Sequence, residues 1–313
     1  MFSYVVRRLF ATLVVMAVVA FVVFLLLYLT PGDPAAILAG DAATNEDIAR
    51  IREKLGLNEP FLVRFGGWIA RLLHGDLGIS IFTNLPVTQL IGQRVEPTLS
   101  LTICTLIVSV LIAVPLGVVA AARAGTWVDR AVMAFSVLGF SLPVFVLAYI
   151  LILTFSIELD WLPVQGYRPI KDGLWEWARH LVLPSTALGT VYIALIARIT
   201  RASMLDALAQ DYVRTAQAKG VGPGGVLVGH ALKNAAVPIV TVIGIGIALL
   251  IGGAIVTETV FALPGIGRLT VDSILRRDYP IIQGVVLIFS GAYVLINLLV
   301  DLSYTLLDPR IRY

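Results

Sequence analysis

The sequence has few residues that carry reactive groups or charge. Among 313 residues only 14% are charged, and there are one cysteine, Cys104, and three histidines. A disulfide or a multi-cysteine metal site within the chain is therefore excluded. His74, His180 and His230 are far apart in sequence, so we expect none of them to bind a metal. Hydrophobic residues make up 58% of the chain and the mean hydropathy is +0.93, which predicts an integral membrane protein.

Motifs for nucleotide binding and catalysis are also missing. No G-x-x-x-x-G-K-[ST] phosphate loop occurs, and we expect Gly265 and Gly267 to lie in a turn outside the membrane, without the strand and helix of a nucleotide site. Cys104 has no evident catalytic neighbour, which disfavours a membrane-embedded enzyme. We therefore expect that the chain is not an enzyme, binds no cofactor or metal itself and has no nucleic-acid partner.

Six apolar stretches approach or exceed the roughly 20 residues that cross a bilayer as an α-helix. They are Leu9–Leu29, Leu99–Ala122, Ala131–Ile157, Leu181–Ala197, Ala236–Val256 and Ile281–Val300. The first is longer than the roughly 7 to 15 apolar residues of a secretory signal, so we expect a retained helix. The alternation of a membrane barrel is absent. The sequence predicts an all-α membrane protein with six transmembrane helices.

Charge predicts the orientation of these helices. An even number of spans places both termini on one face, which carries an excess of arginine and lysine that includes Arg7, Arg123 and Arg214. The other face carries a net negative charge. Because basic loops stay on the inner side, we expect both termini to be cytoplasmic in a multi-pass inner-membrane protein.

The spans contain almost no ionisable residues. Glu258 and Asp301 are the candidates, and both lie near span ends, where we expect them to sit at the membrane interface and reach water. A self-contained secondary transporter would ordinarily show internal repeats or buried coupling residues, and neither is apparent. Pro115 and Pro143 lie inside spans, where proline can kink a helix. Pro143 and Glu258 are our candidates for a pathway or gate.

Segments outside the membrane have their own signals. Thr44 and Asp47 resemble a capping box, Gly56 would end that helix, and a second helix with an apolar stripe around Trp68 would follow Pro60. The stripe could lie along the membrane interface, pack on the chain's own spans or receive a partner. We expect Asp160–His180 to be an outer loop with tryptophan anchors. In the fifth span, glycines permit close helix or dimer packing: Gly244, Gly246, Gly252 and Gly253.

A polar segment between the fourth and fifth spans predicts a docking element. Asp211–Lys219 favours a helix, because an acid at its start and a lysine at its end complement the helix dipole. Gly220 can take the left-handed conformation that ends a helix, and the Gly- and Pro-rich run that follows enforces a break. A short helix with defined ends would face the cytoplasm. An ordinary solvated loop is the alternative.

This segment and others resemble the permease subunits of binding-protein-dependent ABC importers of the dipeptide, oligopeptide and nickel group. Thr215, Ala216 and Gly220 occupy positions of that family's EAA-x-x-x-G motif, whereas Arg214 stands in place of its glutamate. The other motifs that match in order and spacing are TPGDP (30–34), GDLGIS (75–80), RASMLDAL (201–208), TETVFALPGIGRL (257–269), RDYPIIQG (277–284) and LDPRIR (307–312).

The resemblance implies a type I importer half-channel. A second, similar permease would complete the pathway, giving a heterodimer in the membrane lipid. Two cytoplasmic ATPase subunits would bind ATP and Mg, and an external solute-binding protein would deliver the substrate. The ATPases would grip residues of the coupling helix, namely Asp211, Tyr212, Arg214, Thr215, Ala216, Lys219 and Gly220.

Cargo and domain organisation follow from the same resemblance. Di- or oligopeptides are the expected cargo, with nickel or another metal chelate, glutathione or a similar small solute as alternatives. We expect a first transmembrane helix within 1–30, an extracytoplasmic helical segment at 31–97 and a core permease domain at 98–313, with the coupling loop at 201–237.

Overall fold

The computed structural model describes residues 2–29, 34–39, 43–54 and 56–307, and this part of the chain is almost entirely helical. Its α-helices are α1 (Phe2–Leu29), α2 (Pro34–Ala39), α3 (Asn45–Lys54), α4 (Phe61–Leu73), α5 (Val87–Ala122), α6 (Trp127–Ser141), α7 (Val144–Leu151), α8 (Leu174–Leu208), α9 (Asp211–Ala218), α10 (Leu232–Val260), α11 (Ile266–Arg276) and α12 (Tyr279–Leu307). π-Helices at Ile152–Glu158 and Gly225–Ala231 extend α7 and precede α10. TPGDP and LDPRIR fall largely outside the described residues.

Helices cover the six apolar stretches, with a break inside the third. Within the described residues, four helical segments are long and apolar enough to cross a membrane. They are α5, α8, Gly225–Ile247 and Tyr279–Asp301. The apolar section of α1 is shorter, at Phe10–Leu26. The third stretch is broken, because α6 and the continuous helix formed by α7 and its π-helix meet at 102° around Pro143. The prediction of an all-α membrane fold is confirmed.

The chain divides into two units. The first contains Val95–Arg268 and the described residues from Tyr293 on, and α8 is its central helix. In the membrane-spanning section of α8, 67% of the residues are buried, against α6, α7 and α10. Gly244 and Gly246 of α10 face Val300 and Tyr192, so these two glycines support close helix packing within the chain. The surroundings of Gly252 and Gly253 lie outside the described side chains.

The second unit contains Phe2–Arg94 and Leu269–Ala292. The aromatic rings of α4 pack on α1, with Phe24 lying 5.3 Å from Trp68 between ring centroids. The capping box at α3 is confirmed, because the Thr44 amide donates to Asp47 Oδ2 at 3.2 Å and the Asp47 amide donates to Thr44 Oγ1 at 3.3 Å. The hydrogen bonds from Thr44 lower the pKa of the Asp47 carboxyl. The apolar stripe of α4 therefore packs on the chain's own first helix.

One predicted boundary was wrong. The loop predicted at Asp160–His180 ends at Gly173, because Trp175 and Trp177 already belong to the first turn of α8. The π-helix Gly225–Ala231 leads into the fifth membrane helix, α10. Gly265 lies in the turn before α11 and Gly267 lies in the first turn of α11, and the element before this turn is the helix α10, not a strand.

Candidate functional site

The predicted docking helix is present as α9. It runs from Asp211 to Ala218, and Gly220 has φ of +80°. The Gly220 amide donates to the Gln217 carbonyl at 2.9 Å and the Val221 amide to the Ala216 carbonyl at 3.1 Å. This is the Schellman pattern, in which a residue in the left-handed conformation ends the helix and satisfies its last carbonyls. The chain thus fixes the end of α9 at Gly220.

The two faces of α9 differ. Val213 and Ala216 are buried, and α9 contacts the π-helix Gly225–Ala231 that starts the next membrane helix. The Tyr212 hydroxyl is also buried and has no hydrogen-bond partner in the described residues. The remaining residues predicted for the docking surface are exposed, namely Asp211, Arg214, Thr215, Lys219 and Gly220. The helix therefore rests on the membrane helices through one face and presents a polar face to solvent.

A partly buried ion pair holds α8 just before it leads into α9. Arg201 of α8 forms a two-point contact with the Asp129 carboxylate of α6, in which the Nη2–Oδ2 distance is 2.7 Å. The Gly125 amide donates to the same carboxylate at 2.9 Å. Planar guanidinium groups match carboxylates in this two-point geometry. Arg201 is the first residue of the RASMLDAL motif, so one role of this motif is to anchor α8 to α6.

We expect Arg201→Ala to lower the free energy of unfolding by about 2 kcal/mol, because Asp129 would keep its charge with one remaining donor. The exposed pair of Arg214 and Asp211, at 3.6 Å, is the matched control, and Arg214→Ala should change stability by less than about 0.5 kcal/mol. Reversible SDS titration in micelles measures both. Equal effects of the two variants would contradict a structural role for the Asp129–Arg201 pair.

Glu258 is fully buried at the end of α10, and our expectation that it reaches water was wrong. Its carboxylate accepts hydrogen bonds from the Thr98 hydroxyl at 2.6 Å and from the Arg268 amide at 2.9 Å. Thr98 Oγ1 in turn accepts from the Ile266 amide at 2.8 Å. The first turn of α11 thus points its free amides at an acid and a hydroxyl, a favourable arrangement at the positive end of a helix.

Glycine is required beside this carboxylate. A Cβ at Gly265 would overlap the Glu258 carboxyl group, and a Cβ at Gly267 would lie 2.8 Å from the Ile255 Cα. The TETVFALPGIGRL motif therefore contains both sides of one contact. Its buried acid, Glu258, caps α11, the helix that follows the turn in the same motif. We call the side chains of Thr98 and Glu258 with the α11 amides the Glu258 clamp.

A second buried carboxylate joins two other motifs in the second unit. Asp278, from RDYPIIQG, accepts from the Ser80 hydroxyl of GDLGIS at 2.6 Å and from the Ile81 amide at 3.2 Å. Ser80 is 1% exposed and Asp278 is 2% exposed. Nearby, a Cβ at Gly284 would lie 2.9 Å from Val87. This Asp278 clamp holds the turn before α5 against the start of α12.

The other predicted pathway residue, Pro143, lies at the break between α6 and α7. Beside the break is an apolar cavity of about 270 Å³. Its lining residues are Val144, Phe145, Leu188, Val191, Tyr192 and Val256. Pro143 and the buried Glu258 are thus in different surroundings, one at a helix break and the other in a helix cap.

A polar network fixes the loop between the π-helix and α8. The Tyr167 hydroxyl donates to Glu96 Oε1 at 3.0 Å, and the Trp177 indole donates to Ser100 Oγ at 3.1 Å. Burial raises the pKa of Tyr167 above that of a free tyrosine, with the neighbouring Glu96 carboxylate acting in the same direction. Tyr167 therefore stays protonated and keeps its hydrogen bond to Glu96 at neutral pH.

Family comparisons agree with the motifs. Residues 113–313 match the binding-protein-dependent transport system inner membrane component family, and residues 1–102 match the N-terminal region of such membrane components. The chain belongs to this family. The resemblance drawn from the sequence motifs is confirmed, and this inner membrane component is a multi-pass helical protein.

Two relatives cover the chain from end to end. A probable peptide ABC transporter permease of Sinorhizobium fredii is 59% identical over 99% of this chain and 99% of its own length. The glutathione transport system permease of Salmonella choleraesuis is 44% identical over the full length of both chains. Among solved structures, the inward-facing MetNI methionine ABC transporter aligns with a TM-score of 0.58 at 18% identity, covering 71% of this chain and 97% of that one. This likeness shows a shared fold.

Sequence reasoning located α9 and Glu258 in this inner membrane component but missed three residues that form buried or partly buried contacts with Arg201, Glu258 and Ser80. Asp129, Thr98 and Asp278 were not singled out as individual residues, although Asp278 lies in a motif that was noted. Asp129 stands beside Arg130 in the short segment between the second and third apolar stretches, and nothing in the sequence there indicates Arg201 as its partner. Among the described residues, no group of three histidine, cysteine or acidic side chains is placed to hold a metal ion.

Proposed function

We propose that this inner membrane component is one permease subunit of an ATP-driven importer that carries di- or oligopeptides across the cytoplasmic membrane. Its membership of the family carries the proposal, and a full-length relative at 59% identity is a probable peptide permease. A second, homologous permease completes the pathway as a heterodimer, and an external solute-binding protein delivers the peptide. Two separate ATPase subunits bind ATP and Mg and supply the energy.

The exposed face of α9 is the proposed contact with the ATPases. Its end is fixed by Gly220, and its buried face rests on the π-helix that begins the next membrane helix. A push on Arg214 or Lys219 would pass to that helix through Val213 and Ala216. In this arrangement both termini and α9 lie in the cytoplasm, 31–97 is extracytoplasmic and 98–313 forms the core permease domain.

ATP hydrolysis by the assembled importer tests the function. With the solute-binding protein and a dipeptide outside, hydrolysis should rise only in vesicles that contain this chain. A self-contained secondary transporter would move substrate without the ATPases, and that result would overturn the proposal.

Glutathione is the second candidate cargo, because a relative covering the full chain at 44% identity is a glutathione permease. Titration of the solute-binding protein with a dipeptide, glutathione and a nickel chelate separates the candidates. Tight binding of glutathione alone would replace peptides as the cargo while leaving the importer mechanism in place.

We expect Gly220→Val to lower uptake per ATP hydrolysed by roughly 5- to 30-fold, because the left-handed conformation costs a residue with a Cβ about 1–2 kcal/mol and more for a branched one. A Cβ at Gly220 or at Gly222 meets no atom within 4 Å, but only Gly220 has a positive φ. Gly222→Val is therefore the matched control and should transport normally. Uptake by proteoliposomes, with ATPase activity recorded in parallel, measures the ratio. Normal coupling in both variants would argue against a role for the end of α9.

A further inference from the structure

A cavity of about 350 Å³ lies within the second unit, between α1, α4 and the start of α12. Aromatic side chains from α1 and α4 form part of its wall, namely Phe24, Tyr28 and Trp68. Two arginines of α4, Arg64 and Arg71, also line it. The volume is in the range of small-molecule sites, and the combination of aromatic walls with cations is not required by packing of the helices alone.

The two arginines lack an acidic partner in the described part of the chain. Arg64 lies over the Tyr28 ring at 5.4 Å from the centroid, which leaves its N–H groups available. Glu59 also lines the cavity but forms no ion pair with either arginine. Arg64 and Arg71 are seven residues apart on one helix, and that spacing places them on the same face. The cavity therefore carries a net positive charge.

A buried hydroxyl completes the polar part of the site. Tyr279 is only 9% exposed, lines the cavity, and its hydroxyl has no hydrogen-bond partner in the described residues. Buried polar groups are nearly always paired, and an unpaired one is costly. This hydroxyl is closed off from the cavity, so a ligand oxygen would become its partner only after a neighbouring lining side chain moves aside.

We propose that the cavity binds the phosphate headgroup of an anionic phospholipid. Guanidinium groups bind phosphate oxygens through paired hydrogen bonds, and Tyr279 would donate a further one. Tyrosine and tryptophan are typical of the headgroup level of a bilayer. Exposed apolar residues of α1 and α4 beside the cavity, including Leu26 and Val63, offer a surface for the attached acyl chains. A free phosphate would use the cations but not this apolar surface.

Native mass spectrometry of the full-length chain from nanodiscs of equal parts phosphatidylglycerol and phosphatidylcholine tests the proposal. The wild type should retain one phosphatidylglycerol. Tyr279→Phe removes one hydrogen bond and should lower retention about fivefold. Arg64→Ala with Arg71→Ala should lower it by tenfold or more. Arg50→Ala is the control, because Arg50 is an exposed arginine of the same unit that pairs with Asp47 and does not line the cavity.

Tyr279→Phe keeps the test decisive if the arginine variants fail to fold. In a cavity without a ligand, losing an unpaired hydroxyl would not weaken the protein, so reduced lipid retention has no other structural source. Equal retention by the wild type and Tyr279→Phe would overturn the proposal. Displacement of the lipid by millimolar inorganic phosphate, with equal thermal stabilisation by phosphate alone, would overturn it as well and identify a free anion site.

Discussion

Gly265→Ala is expected to lower the free energy of unfolding by about 3 kcal/mol. The new methyl group would overlap the carboxyl group of Glu258, which is fully buried and holds the first turn of α11. The carboxylate cannot move aside without losing its hydrogen bonds from Thr98 and the Arg268 amide. Reversible SDS titration of the purified chain in micelles measures the change.

A double variant shows whether the clash with Glu258 is the cause. Glu258→Ala also destabilises the protein, but Gly265→Ala with Glu258→Ala should cost at least about 1 kcal/mol less than the sum of the single variants. Gly92→Ala is the control, because a Cβ at this exposed position of α5 meets nothing within 4 Å. It should be neutral or stabilising by up to about 1 kcal/mol. Additive costs in the double variant would disprove the Glu258 clamp.

Asp278→Ala is likewise expected to lower the free energy of unfolding by about 3 kcal/mol. The Ser80 hydroxyl and the Ile81 amide would both lose their acceptor, and each donor left unpaired in a buried site costs about 1–3 kcal/mol. Asp278→Asn keeps an acceptor oxygen and should recover part of the loss. The same SDS titration gives both values.

Asp272→Ala is the matched control for Asp278→Ala, since Asp272 is an exposed acid of α11 in the same unit. Its effect should stay within about 0.5 kcal/mol. If Asp272→Ala and Asp278→Ala lowered the free energy of unfolding by the same small amount, the Asp278 clamp would not contribute to stability. The GDLGIS and RDYPIIQG motifs would then need another explanation.

Apolar run length was enough to find the membrane helices but not their ends. The sequence placed the start of the fourth span at Leu181, whereas α8 begins at Leu174, because polar residues of its first turns pack on other parts of the first unit. The break at Pro143 was visible only as a proline. Proline lies inside α5, α8 and α10 as well, where the helices continue. Tertiary packing decides which proline ends a helix.

In the candidate site, too, local features were predicted from the sequence and long-range contacts were not. Helix propensity and Gly220 predicted α9 and its end, because both signals are local. Glu258 was assigned to the membrane interface because its partners, Thr98 and the amides of α11, are distant in sequence or belong to the backbone. A single sequence does not show that Ser80 and Asp278 meet across 198 positions, although each belongs to a motif that was noted.

Cys104 lies half-buried among the apolar side chains that pack on the core of the first unit, and the chain has no other thiol. One substitution, Cys104→Ala, would therefore give a cysteine-free background. Thr215→Cys or Lys219→Cys in that background would be the only target for maleimide reagents in this subunit. Covalent cross-linking from these two exposed positions could then identify the neighbouring polypeptide directly and record its distance during the transport cycle.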